Sequence, residues 1–380
     1  MTGRLVFSEA LTRYDFGHDH PMKPGRVRNT MSLAGALGVL DRLEVVPPPE
    51  IDLDLIRSVH QADYVQAVEL GKPNPICGLG TPDNPVFDQM HEVAARVAMA
   101  SVEAARQVWS GNCLRACNIS GGLHHAMPGF ASGFCVYNDL AIAIQWLLDS
   151  GCKRVAYVDV DVHHGDGVQA IFYNDPRVLT ISLHETPVTL FPGTGFPAET
   201  GGPDARGSAV NVALPAGTSD AGWLRAFHAV VPDALRAFKP TILVTQHGCD
   251  SHRHDPLADL DLSVDGQRAS YLALADLADE VCEGRWVSTG GGGYVVADIV
   301  PRAWTHLLGV VSGQPVPPST LIPQSWRDQM GLHAPTVMTD YASAEYVPFE
   351  QGANPQSRLD QAIMATRRAV FPDLGLDAEV

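Results

Sequence analysis

Asp159-Val160-Asp161-Val162-His163-His164-Gly165-Asp166-Gly167 is the stretch on which the reading of this chain turns. It follows Arg154-Val155-Ala156-Tyr157-Val158, a run of strand length rich in β-branched residues, and leads into Val168-Gln169-Ala170-Ile171-Phe172, which can open a helix. Ionisable residues therefore gather at the C-terminal end of a strand, where open α/β sheets bind ligands. On an extended backbone alternate side chains share a face, so Asp159, Asp161 and His163 can point one way while Val160 and Val162 enter the core. Two carboxylates and an imidazole on one face suit a divalent metal. The plainer reading is a charged loop with Asp166 stabilising the first turn of the next helix. Two Asp and two His within six residues at a buried strand's exit argue against it, because groups so dense are costly to desolvate unless a metal or one another satisfies them.

Working outward, the same pattern recurs. Strands are expected over residues 4–7, 116–119, 154–158, 178–183, 241–245 and 286–289. Helices are expected over 27–40, 54–68 with an interruption near Gln61, 87–109, 137–148, 223–238, 264–283 and 298–311. This alternation predicts an α/β fold with a parallel sheet covered by helices on both faces. Four strand exits carry chemistry: His124-His125 after the second expected strand, the opening stretch, Gln246-His247-Gly248-Cys249-Asp250, and Gly290-Gly291-Gly292-Gly293-Tyr294. Asp161, His163 and Asp250 make a three-ligand catalytic set of the kind zinc uses, and Fe(II), Co(II) or Mn(II) also suit an oxygen-rich trio. His124 and His125 remain as acid and base, with Asp159 and Asp166 available to their ring nitrogens. The glycines before Tyr294 let backbone approach a ligand, and its phenol can donate to a developing oxyanion. Each feature alone has a structural explanation: a buried loop histidine, a core tyrosine. Their convergence carries the argument.

Of the 380 residues, 45% are hydrophobic and 18% charged, enough to bury a large core. Acids outnumber bases 43 to 26, for a formal charge of −17, which argues against direct nucleic-acid binding and favours cationic partners. No leader-like segment or membrane-length apolar run is visible, and seven scattered cysteines read as reduced core thiols, so a cytoplasmic protein is expected. Beyond about residue 315 the chain turns Pro-rich. A catalytic domain over 1–315 and an extension over 316–380 packed on it, with one helix near 357–369, are expected.

Together these motifs, with Gly133-Phe134 and Phe191-Pro192-Gly193-Thr194-Gly195, resemble the zinc-dependent histone deacetylase superfamily over residues 4–312. The His20-Pro21-Met22-Lys23-Pro24 loop through Arg26, and His247 to His252, look most like its bacterial acetoin-utilization deacetylases. The resemblance implies a single arginase-like domain around an eight-stranded parallel sheet, removing acetyl groups from acylated amines. It implies zinc on Asp161, His163 and Asp250, His125 as general base and acid, His124 as electrostatic partner, and Asp159 and Asp166 behind them. Tyr294 would polarise the carbonyl. Gly133, Phe134 and Phe191 would wall a channel for the lysine stem, with Leu257 on its rim, Asp83 at its mouth and Arg26 beneath the site. Structural potassium would bind backbone oxygens of Asp159, Asp161, His163 and Leu183 with the Ser182 hydroxyl, and a second ion those of Phe172, Asp175 and Val178. Acetylated proteins, with acetyl-CoA synthetase as a candidate, are the implied substrates. Acetylpolyamines and a two-metal ureohydrolase reaction are the alternatives.

Overall fold

A computed structural model describes residues 2–332 and 334–379. In chain order the elements are β1 (Gly3–Val6), α1 (Gly25–Ala36), β2 (Leu43–Val46), α2 (Leu53–Val59), α3 (Ala62–Leu70), α4 (Met90–Trp109), β3 (Arg115–Asn118) and α5 (Asp139–Asp149). There follow β4 (Val155–Asp159), α6 (Asp166–Phe172), β5 (Val178–Glu185), β6 (Ala209–Leu214), α7 (Asp220–Phe238), β7 (Ile242–Gln246), α8 (Val264–Cys282), β8 (Trp286–Thr289), α9 (Ile299–Val311), α10 (Gln324–Met330) and α11 (Arg358–Val370).

The eight strands form one sheet in the order β2-β1-β3-β8-β7-β4-β5-β6, and every pairing is parallel. The expected class, an arginase/deacetylase-like α/β domain around eight parallel strands, is the one observed. Alternate residues of the inner strands enter opposite cores: Ala156 and Val158 join Trp223, Tyr271 and Trp304, while Val155 and Tyr157 join Ala98, Leu140 and Ile144. Burial on both faces explains why β4 reads as a nearly unbroken apolar run up to Asp159.

Consecutive strands β3 and β4 are separated in space by β8 and β7, which creates a switch point in strand order. The register then levels the exits. Asn118 pairs with Thr289, Thr289 with Gln246, and Gln246 with Asp159, so four loops leave the sheet side by side at one height.

Two of the eight strands, Leu43–Val46 and Ala209–Leu214, were not among the six expected from sequence, and they are the two edges. The interruption expected near Gln61 is observed: α2 and α3 meet at His60-Gln61. Beyond residue 315 the chain packs on the domain. Trp326 is buried and its Nε1 donates to the Asn29 carbonyl at 3.3 Å, and α11 lies against β6, where Thr366 Oγ1 donates to the Asn211 carbonyl at 2.6 Å. All seven cysteines are free thiols, and among the described residues no helix is long and apolar enough to cross a membrane.

Candidate active site

Strand β4 ends at Asp159, and the next residues are organised by short-range carboxylate bonds instead of by the ladder. The Asp161 N–H donates to Asp159 Oδ1 at 3.1 Å and the His163 N–H to Asp161 Oδ1 at 3.0 Å, the Asx-type contacts that Asp favours after a strand. From the β7 exit, Asp250 Oδ1 accepts the Val162 N–H at 3.0 Å. Three ligand atoms thereby converge: one each from Asp161, His163 and Asp250 lie within 4.8 Å of one another, all buried. His163 Nδ1 is 3.2 Å from Asp161 Oδ1 and 3.1 Å from Asp250 Oδ2.

The donor set fits a divalent cation. Burial and the neighbouring Asp161 charge push the Asp250 carboxyl up to about 6. Burial disfavours the His163 cation, yet its bonds to Asp161 and Asp250 raise the ring to about 10. A divalent ion would relieve the carboxylate repulsion and take the place of that proton. The other Asp161 oxygen is held by Gln246 Nε2 at 2.7 Å and by the Gly292 N–H at 2.8 Å, so Oδ1 is presented inward. Gly292 is required by this approach: a Cβ there would collide with the Asp250 and Asp161 carboxylates.

The β3 exit brings both histidines to the same point. His124 Nδ1 lies 2.7 Å from Asp159 Oδ2, His125 Nδ1 lies 2.6 Å from Asp166 Oδ1, and the two Nε2 atoms face each other at 3.0 Å. Burial works against the His124 cation, but Asp159 and Asp161 outweigh it and raise the ring to about 9; burial and the His124 charge lower His125 to about 4. His124 holds the proton and His125 stays neutral. Burial keeps the Tyr294 phenol well above its usual range, hence protonated and a donor.

Phe134, Phe191, Leu190, Leu257, Gly133, Tyr294 and Asp83 line a cavity of about 240 Å³ that runs to His125 and His163. The Phe134 and Tyr294 rings stand edge to face at 5.8 Å, and the Phe191 ring is 5.0 Å from His125. Beneath lies a space of about 20 Å³ lined by Met22, Leu123, Cys135 and Tyr294. Buried Arg26 donates to the carbonyls of Gly291 and Gly293 at 2.7 and 3.2 Å, below the glycine loop. Asp159 and Ser182 face each other across β4 and β5, so the first potassium group is contiguous, though the Ser182 hydroxyl also lies 2.8 Å from His184 Nδ1. In the second group, the Phe172 and Asp175 carbonyls accept the Asp175 and Val178 N–H groups. Every sequence-predicted catalytic, metal and channel residue lies in this one region; the second potassium group sits on the turn from the end of α6 to the start of β5.

Supporting residues went unrecognised. Asp139 accepts the Gly122 and Leu123 N–H groups, and Asn138 Nδ2 donates to the carbonyls of His124 and Ala126, clamping the histidine loop. An Asn-Asp pair before an apolar run is a legible helix cap, but its second task is not. Asp255 accepts the Tyr294 N–H at 2.8 Å and the Leu257 N–H at 3.1 Å, joining two exits that are distant in sequence.

Residues 20–311 match the histone deacetylase domain family. The chain is 37% identical over 352 residues to the acetoin utilization protein AcuC of Bacillus subtilis (strain 168), covering 87% of this chain and 91% of that one. It is 35% identical over 332 residues to AcuC of Staphylococcus xylosus, covering 86% of each. Its fold is similar to the crystal structure of an HDAC homolog complexed with SAHA, with a TM-score of 0.85 and 26% identity over 96% of this chain and 100% of that one. It is also similar to the HDA15 HD domain, with a TM-score of 0.75 and 28% identity over 83% and 91%. By these likenesses and this geometry, the chain belongs to the histone deacetylase family, as an AcuC-type member.

Proposed function

We propose that this protein is a cytoplasmic metal-dependent lysine deacetylase that hydrolyses the acetamide of acetylated protein or peptide side chains and releases acetate. The observation that carries the reading is the meeting of the Asp161, His163 and Asp250 ligand atoms with His125 at the foot of an aromatic channel. Zinc is the proposed ion, with Fe(II) and Co(II) as fitting replacements. Bound there, it would acidify a water and polarise the substrate carbonyl.

The protein's own residues do the rest. With Nδ1–H donated to Asp166, His125 carries its lone pair on Nε2, which faces His124 Nε2 in the free site and, in the substrate complex, takes the attacking water's proton and returns it to the leaving amine. His124, protonated against Asp159, stabilises the negative charge that develops beside it. The Tyr294 phenol donates to the carbonyl oxygen as it becomes an oxyanion. Phe134 and Phe191 grip the four-carbon stem, which enters neutral and so loses little hydration. Asp83 binds the substrate backbone at the mouth, Leu257 closes the rim, and Arg26 lies where acetate departs. Potassium in the two expected groups would be structural. The acetoin-utilization relatives support a metabolic protein, such as acetyl-CoA synthetase, as substrate.

Acetate release from an acetyl-lysine peptide and from N-acetylspermidine, and urea release from arginine, measured side by side, test the reading. Preference for the peptide is expected. Preference for the polyamine would move the substrate class, and urea release would replace the reaction.

A further inference from the structure

The segment around residue 340 lies outside the histone deacetylase match, which ends at 311, yet it reaches two loops of the candidate site. Asp340 Oδ2 accepts from His252 Nε2 at 2.9 Å and from the Val264 N–H at 2.9 Å, while Oδ1 accepts from Arg302 Nη1 at 2.6 Å. The His252 ring takes the His254 N–H on Nδ1 at 3.1 Å, so its own proton sits on Nε2 and points at Asp340. His252 is two residues beyond Asp250, and its carbonyl accepts the Asp255 N–H at 2.8 Å. Asp255 in turn holds the backbone of Tyr294 and Leu257. On the other side, Arg302 also binds Asp298, at the entrance to α9 and four residues after Tyr294. His252 and Arg302 are each at most 3% exposed. One carboxylate thus ties the loop that supplies Asp250 and Leu257 to the helix that follows Tyr294.

We propose that Asp340 is a positioning residue of the deacetylase centre, keeping Asp250 and Tyr294 in mutual register from the C-terminal segment beyond residue 311. The proposal rests on the roles given to Asp250 and Tyr294 under Proposed function. A merely structural tie of the same extension exists for comparison: Arg225 on α7 binds both Asp360 oxygens at 2.8 Å and touches neither loop.

The test compares Asp340→Asn, Arg225→Ala and the parent for Tm, for Co(II) affinity of the metal-free protein by titration, and for kcat and KM on an acetyl-lysine peptide. Asp340→Asn should lower Co(II) affinity and kcat on the order of tenfold to a hundredfold, with KM nearly unchanged. Arg225→Ala should lower Tm and leave the other quantities at parental values. Should Asp340→Asn not fold, His252→Gln, which keeps a donor near Nε2, should retain Co(II) affinity, and His252→Leu should lose it. The proposal is overturned if Asp340→Asn keeps both Co(II) affinity and kcat, if both variants lose them in proportion to Tm, or if His252→Gln and His252→Leu bind Co(II) alike. Co(II) affinity decides the matter even if the parent hydrolyses no acetyl-lysine, an outcome that would count only against the function proposed above.

Discussion

The imidazoles of His124 and His125 meet Nε2 to Nε2 at 3.0 Å, each backed at Nδ1 by a different aspartate. A gap of that size accommodates one proton. Burial and the charge on His124 hold His125 neutral, which divides two adjacent and chemically identical side chains into a charged neighbour and a base. His125→Ala should therefore lower kcat by roughly a hundredfold to ten-thousandfold while one divalent ion per chain is still bound. Steady-state kinetics paired with metal analysis of the same sample check this. Loss of the ion along with activity would assign His125 to the metal set instead.

Gly292 tests how closely backbone must approach the ligands. A methyl group there meets the Asp250 and Asp161 carboxylates directly, so Gly292→Ala should weaken metal affinity on the order of tenfold to a hundredfold. Gly35 on α1, where a Cβ would meet only the Leu40 side chain at an ordinary 3.6 Å, gives the comparison: Gly35→Ala should leave affinity unchanged. Titration of the metal-free variants with Co(II) reads the difference.

The channel wall should act on binding more than on chemistry. Phe191 packs on His125 at the rim and is 44% exposed, so it can be cut back without opening the core. Phe191→Ala should raise KM for an acetyl-lysine peptide by about tenfold, equivalent to about 1.4 kcal/mol of lost contact, with kcat little changed. A fall in kcat with KM unchanged would place Phe191 in the chemistry.

Acid stability has a named contributor away from the site. His60 is buried, with Nδ1 3.0 Å from the Met127 carbonyl and Nε2 accepting the Asn138 N–H at 3.0 Å, and burial lowers its pKa to about 4. Above the unfolded value near 6.5 neither state carries the proton; below it the unfolded chain gains one that the folded chain refuses. Stability should therefore fall as pH drops from about 6.5 to about 4, by up to roughly 3 kcal/mol from this residue. His306, lowered to about 4 by burial, steepens the same limb. Denaturant midpoints across that range should show a shallower slope for His60→Gln, and an unchanged slope would remove His60 from the account.

The sheet was legible along its interior and hidden at its two edges. β2 spans four residues, with Glu44 turned outward to Arg4, too short to announce a strand. β6 was missed because Asn211 reads as a turn residue. In the fold its Nδ2 is buried against Gln169 and the Glu199 carbonyl, while α11 covers that edge. The catalytic groups were legible because buried charge after an apolar run is costly without a purpose. Gln246, Asp255 and Asp340 act through backbone and side-chain bonds between distant segments, and only the three-dimensional register reveals those.

The central claim is that Asp161, His163 and Asp250 hold one catalytic cation. Titrating the metal-free protein with zinc while following acetate release from an acetyl-lysine peptide tests it most directly. Activity should be absent without metal, rise in proportion to added zinc and level off at one ion per chain. Full activity in the metal-free protein, or a plateau reached only at two ions, would contradict it.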